Sequence, residues 1–230
     1  MTVYLASPSN QVQAEAVKDM PVLLSFALFT PFLDKYHHAF KKILIDSGAY
    51  SVLNTGKKVD LTEYAEWSLR WGGYADAVAG LDDISGDWRQ SLRNYEAMPN
   101  GFPTIHDSDP PELLRDLVAL AQERGSWIGI GIVPPREGKE NFVRRVCDNI
   151  PEGVHVHGWA LRAYTKVRRL DSVDSTNWWR DAFKVRRDFP WLTFGESLEI
   201  IVKRYQRENR IIAEVDEKQK SLFDGVYCGN

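Results

Sequence analysis

The sequence predicts an α/β fold, a (β/α)8 barrel of the TIM type with a long C-terminal helix. Three observations predict it. Short apolar runs alternate with longer amphipathic ones about eight times, the repeat number of such a barrel. The apolar runs are continuous, as parallel strands covered on both faces are. Polar residues collect where those runs stop, and in a barrel these ends share one face. An open doubly wound sheet is the competing architecture, and the unit count favours the barrel.

The strand-like runs are Val3 to Ala6, Pro21 to Ala27, Ile43 to Asp46, Ala75 to Leu81, Thr104 to His106, Trp127 to Ile130, Val154 to His157 and Ser172 to Asp174. Helical spacing recurs over Leu61 to Trp71, Lys139 to Ile150 and Leu161 to Arg169. It is clearest over Pro111 to Arg124, where Asp109 is the expected N-cap and Gly125 the stop. His37 and His38 read as residues of a surface helix. An aromatic stretch from Trp178 to Phe194 follows the last strand, and Glu196 to Phe223 reads as a long amphipathic helix. No repeat or linker interrupts the chain, so residues 1–230 read as one barrel domain.

Composition narrows the function classes. At 43% hydrophobic and 27% charged, the chain reads as an ordinary soluble globular protein. A net charge of −3 argues against a nucleic-acid-coating protein but not against a local basic face. Cys147 and Cys228 are the only cysteines, and no C-x-x-C spacing occurs, so neither a cysteine zinc site nor a disulfide framework is expected. A reducing compartment fits. The first residues, MTVYLASPSNQ, do not read as a signal peptide, and the longest apolar run, Pro21 to Phe29, is too short to span a bilayer. The expectation is a cytoplasmic protein with no membrane partner and no cofactor.

The strand ends carry the candidate chemistry. Asp46 closes the third strand, Asp82 and Asp83 the fourth, His106 the fifth, His157 and Gly158 the seventh, and Asp174 the eighth. Gly129 and Gly131 lie in the sixth. One aspartate after a strand is an ordinary turn or cap residue, but polar ends on strand after strand suggest a site. Several carboxylates around one pocket suit glycosyl chemistry, in which breaking the bond to an anomeric carbon builds positive charge on the sugar. The glycines would let a flat ring approach the backbone. Metal binding by Asp46, Asp82, His106, His157 and Asp174 is the sharp alternative. In the H-V-H of His155 to His157, one ring is expected to face the barrel and the other to point outward.

Four segments resemble the tRNA-guanine transglycosylases, in that family's order and across most of the chain. D-S-G-A-Y-S, Asp46 to Ser51, resembles their D-S-G-G-[FY]-Q, and L-D-D, Leu81 to Asp83, resembles F-D-E. I-G-I-G, Ile128 to Gly131, resembles their glycine-rich strand, and D-S-V-D-S, Asp171 to Ser175, resembles D-M-F-D-C. The S-V-D-S-x-x-W pattern with an H-G before it is closer to the deazapurine DNA modification proteins of phages and bacteria. The resemblance implies exchange of guanine in a polynucleotide for a 7-deazaguanine such as 7-cyano-7-deazaguanine. It implies Asp174 as the nucleophile of a covalent glycosyl–enzyme and Asp46 as general acid/base. Asp82, or Asp83, would receive hydrogen bonds from the guanine edge. Ser47, Gly48, Tyr50, His106, Gly129, Gly131, His157 and Gly158 would complete the base pocket, Tyr50 by stacking.

The chain departs from the tRNA enzymes by lacking their C-x-C-x-x-C…H zinc module and by carrying Ala49 and Ser51 in the first motif. Both points move the expectation from tRNA to DNA, presented single-stranded or with the guanine flipped out, and leave room for a targeting partner protein. Arg162, Lys166, Arg168, Arg169 and Arg180, interleaved with Trp178, are the expected strand-tracking groove. Competing functions are an RNA-directed transglycosylase, a hydrolytic glycosidase and a non-catalytic nucleic-acid-binding relative.

Overall fold

The computed structural model describes residues 1–55, 57–133, 138–162 and 169–227, and side chains up to residue 210 other than that of residue 54. Nine parallel strands form one sheet in the order β5-β4-β3-β2-β1-β9-β8-β7-β6. They are β1 (Thr2–Ala6), β2 (Pro21–Ser25), β3 (Lys42–Asp46), β4 (Ala77–Ala79), β5 (Gly101–Phe102), β6 (Thr104–His106), β7 (Trp127–Gly131), β8 (His155–Gly158) and β9 (Ser172–Ser175). The two ends of this order, β5 and β6, are separated in sequence only by Pro103. The Phe102 carbonyl accepts from Gly80 N on the β4 side, and the Pro103 carbonyl accepts from Gly129 N on the β7 side, both at 2.8 Å. Residues 101–106 are therefore one stave, interrupted where proline offers no N–H. It closes the sheet into an eight-staved (β/α)8 barrel.

The helices are α1 (Gln11–Ala16), α2 (Ala49–Val52), α3 (Leu61–Gly72), α4 (Trp88–Ala97), α5 (Leu113–Glu123), α6 (Glu140–Asp148), α7 (Asn177–Asp188) and α8 (Phe194–Tyr227). After β2 the chain uses 3-10 turns, Phe26–Leu28 and Pro31–Tyr36, instead of an α-helix. His37 follows the second of these and packs against His38 and Tyr74. The expected helix over Leu161 to Arg169 lies mostly outside the described residues. Among the described residues, no helix is long and apolar enough to cross a membrane.

Strand alternation sorts the buried residues into two cores. Outward positions such as Leu5, Val22, Ile45, Ile130 and Val173 pack beneath the helices. Inward positions Tyr4, Ala6, Leu23, Leu44, Ala79 and Phe102 fill the barrel, with Trp127 and Trp159 against them. The barrel is thus a packed plug below its C-terminal mouth. α8 closes the outside of β1: Asn209 accepts from Val3 N at 2.8 Å and donates back to the Val3 carbonyl at 3.3 Å.

One turn at the mouth requires glycine. Gly48 sits at φ +74 before α2, and a Cβ there would lie 2.1 Å from Ser25 Oγ and 2.8 Å from Ala27 Cβ. Gly48→Ala should therefore cost about 2–4 kcal/mol, left-handed strain plus overpacking. A thermal melt checks it, with a fall in Tm on the order of 10 °C expected.

Candidate active site

The C-terminal ends of β3, β4, β6, β8 and β9 bring Asp46, Asp82, His106, His157 and Asp174 to one mouth. Strand register places Asp46 beside Ser25 and Asp174 beside Tyr4. Burial pushes the Asp46 carboxyl up to about 7, and the neighbouring carboxylates of Asp174 and Asp82 add to it, against hydrogen bonds from Gly48 and Ser47 N–H groups. Asp46 thus lies within electrostatic reach of both other aspartates. Ser47 is buried, and its hydroxyl accepts from Ala49 N at 3.2 Å. Tyr50 stands 55% exposed at the rim.

Asp174 is held by one oxygen. Its Oδ1 accepts from Ala160 N at 2.6 Å and faces His157 Nε2 at 3.6 Å. Ala160 adopts φ +51, an unfavourable left-handed conformation for a residue with a Cβ. Such strain persists only where surrounding structure enforces it, and here it aims an N–H at a carboxylate.

Asp82 lies in a second cluster. Tyr95 Oη donates a hydrogen bond to Asp82 Oδ1, and His106 Nε2 approaches Oδ2 at 3.4 Å. Burial raises the Asp82 carboxyl above its ordinary range, opposed by His106 and Tyr95. Burial disfavours protonation of His106, but Asp82, then Asp109 and Asp107, outweigh it and raise the imidazole. Asp109, the expected N-cap of α5, instead accepts from His106 N at 2.7 Å and flanks its Nδ1 at 3.5 Å. α5 starts at Leu113 with no side-chain cap. Asp83 is occupied locally: its Oδ1 accepts from Ser85 N at 2.9 Å and from the Ser85 hydroxyl.

Tyr95 and its helix were not legible as site elements. α4 turns Ser91, Asn94 and Tyr95 inward beside the partly buried Trp88 and Leu92, so its inner face mixes polar and apolar residues. Asn94 donates to the Leu81 carbonyl at 3.0 Å, and Ser91 Oγ accepts from Asp83 N at 2.8 Å. α4 therefore fixes the loop that carries Asp82. The sequence signal was Asp87, whose side chain caps the helix by accepting from Arg89 N and Gln90 N.

Several expectations need correction. His155 and His157 are two positions apart, so both rings share the barrel face, and both contact Ser172 Oγ, at 2.7 and 2.9 Å. Gly129 and Gly131 do not leave open floor. A Cβ on Gly129 would meet Thr104 Oγ1 and Trp159 Nε1, and one on Gly131 would meet the His106 ring. Gly158 faces outward against Leu161 and Leu170.

The expected basic groove disperses. Trp178 is 0% exposed and donates from Nε1 to the Ala6 carbonyl at 3.0 Å, so it pins α7 to β1 instead of stacking on a base. Trp178→Ala should cost about 3–5 kcal/mol, read as a denaturant midpoint shift. Arg162 donates to Tyr205 Oη at 2.7 Å and pairs with Glu208 at 2.6 Å. Arg169 binds the Ile150 and Pro151 carbonyls, at the barrel end opposite the mouth. Arg180, exposed on the first turn of α7, lies 5.3 Å over the Trp179 ring. Lys166 and Arg168 lie outside the described residues.

The S-V-D-S-x-x-W pattern now has a physical account. Ser172 bridges two histidines, Asp174 reaches the mouth, and Ser175 Oγ lies 3.2 Å from Tyr205 Oη and from Asn177 N. Trp178 anchors the next helix. Among the described residues, no group of three or more His, Cys, Asp or Glu could hold a metal ion. Comparison with protein-family models, curated proteins and solved structures finds no match.

Proposed function

We propose that the barrel mouth exchanges guanine in DNA for a 7-deazaguanine base through a covalent glycosyl–enzyme intermediate. The observation that carries this reading is the convergence of Asp46, Asp82 and Asp174, with the Asp46 carboxyl held at about 7. Nucleophile and acid need opposite protonation states at one pH, and carboxyls in unequal environments can supply them. Asp174 Oδ2, which is not used by Ala160, attacks the anomeric carbon. The bond from that carbon to guanine breaks, and the departing base takes a proton from Asp46. In the second half the incoming base gives its proton back to Asp46, bonds to the same carbon and displaces Asp174. No proton is gained or lost overall, and one hard displacement becomes two easier ones. Asp82, held by Tyr95 and His106, receives the edge of the base.

DNA as the acceptor is supported by the S-V-D-S-x-x-W resemblance. The exposed Arg180 beside Trp179, on the turn after Asp174, suits a phosphate and stacking contact. The test supplies labelled 7-deazaguanine with DNA and tRNA in competition, then digests both to nucleosides. Label in deoxynucleosides supports the proposal. Label only in ribonucleosides moves the substrate to RNA, and abasic DNA formed without added base means hydrolysis.

A further inference from the structure

From Asp174 at the mouth, His157, Ser172 and His155 continue as a polar file into the barrel interior. His157 has no exposed surface and is packed edge-on by Tyr4 and by Trp159, with ring centroids at 6.1 and 4.4 Å. Its Nδ1 lies 2.9 Å from Ser172 Oγ, and His155 Nε2 lies 2.7 Å from the same oxygen. Its Nε2 is buried without a hydrogen-bond partner and points at Asp174 Oδ1, 3.6 Å away. At the far end His155 stacks on Trp127 at 3.5 Å. Burial lowers the His155 imidazole to about 3, so it stays neutral and offers one donor and one acceptor nitrogen.

Ser172 has one hydroxyl hydrogen and so cannot donate to both rings. If it donates to His155, a neutral His157 must donate to Ser172 from Nδ1. Its bare Nε2 then faces a carboxylate in a site closed to water, an unfavourable placement of two acceptors. If Ser172 donates to His157 Nδ1, Nε2 carries the hydrogen and points it at Asp174. His155 Nε2–H then donates to Ser172, and every bond in the file runs toward the mouth.

We propose that His157 is a positioning residue, fixed by Ser172 and His155 in the tautomer protonated at Nε2, which with Ala160 N–H holds Asp174 Oδ1 and leaves Oδ2 to react. The catalytic half of this inference rests on the proposed base exchange; the direction of the file does not. The long contact in the free site closes when Asp174 moves on reaction, as catalytic hydrogen bonds commonly do.

The test has two arms. Long-range proton–nitrogen NMR of histidine-labelled protein should report His157 as neutral with its proton on Nε2. A proton on Nδ1, or a doubly protonated ring, overturns the proposal. Ser172→Ala removes the bridge while keeping both rings. It should scramble the His157 tautomer and lower kcat about tenfold with KM unchanged. A lowered melting temperature with kcat and tautomer both unchanged would make Ser172 merely structural and overturn the proposal. If the wild-type protein exchanges no base while the spectrum shows the Nε2 proton, the functional reading fails and the file stands.

Discussion

Replacing Asp174 by asparagine is expected to abolish base exchange and leave the barrel folded. The substitution keeps shape, and the amide oxygen can still accept from Ala160 N, now at 2.6 Å from Oδ1. What disappears is the anionic oxygen that would bond to the anomeric carbon. Loss of a covalent nucleophile should cost at least about a thousandfold in kcat, roughly 4 kcal/mol of barrier. Circular dichroism should be unchanged. Asp171 is the control, because its Oδ2 accepts from Val156 N at 2.8 Å, just before β9 and at the barrel end away from the mouth. Asp171→Asn should lower stability and spare exchange, and the reverse pattern would reassign the nucleophile.

Asp46→Asn should separate activity from stability. As the proton donor to the leaving base, Asp46 should contribute on the order of 10²–10⁴ in rate. Wild-type kcat/KM should fall as pH rises through about 7, where the carboxyl loses its proton. The stability effect has the opposite sign to the usual carboxylate. The folded-state value of about 7 lies above the ordinary 3.8, so the folded protein binds the extra proton across that interval. Stability from this group is full below the unfolded value and is lost as pH rises through the folded one. Asp46→Asn should therefore raise stability at pH 8 by an amount on the order of 2–4 kcal/mol, seen as a higher Tm, and confer no gain near pH 4. Thermal melts at the two pH values decide it, and equal melting curves at pH 8 would remove Asp46 from the buried acid role.

The strands were legible because both faces are buried, so runs such as Val22 to Leu24 and Ile43 to Ile45 are apolar without alternation. The fifth stave is legible only over Thr104 to His106, because Pro103 splits it and the half before the proline is only Gly101–Phe102. α4 escapes the sequence reading because Ser91 and Asn94 break up the apolar spacing of Trp88, Leu92 and Tyr95 on its inner face, and α7 reads only as aromatic because few of its residues are buried, Trp178 and Ala182 among them. Tryptophans beside arginines suggested a nucleic-acid groove, but burial and hydrogen bonding decide what a tryptophan does, and Trp178 is spent on the core. Gly129 and Gly131 suggest space for a ligand, whereas Thr104, Trp159 and His106 fill that space. That Asp46, Asp82 and Asp174 come to the C-terminal end of the barrel was legible from strand ends. Which oxygen of Asp174 is held, and by what, depends on a strained Ala160 and a buried histidine that sequence spacing does not reveal.

The carboxylates at the barrel mouth are proposed to replace one base by another without cutting the strand. The most direct measurement of this exchange is the intact mass of an oligodeoxynucleotide bearing a single guanine, after incubation with the protein and excess 7-cyano-7-deazaguanine. The strand mass is expected to move by the difference between the two bases, at that position, and not to move with Asp174→Asn. A strand of unchanged mass with active, folded-protein controls, or one that loses its guanine and gains nothing, would contradict it.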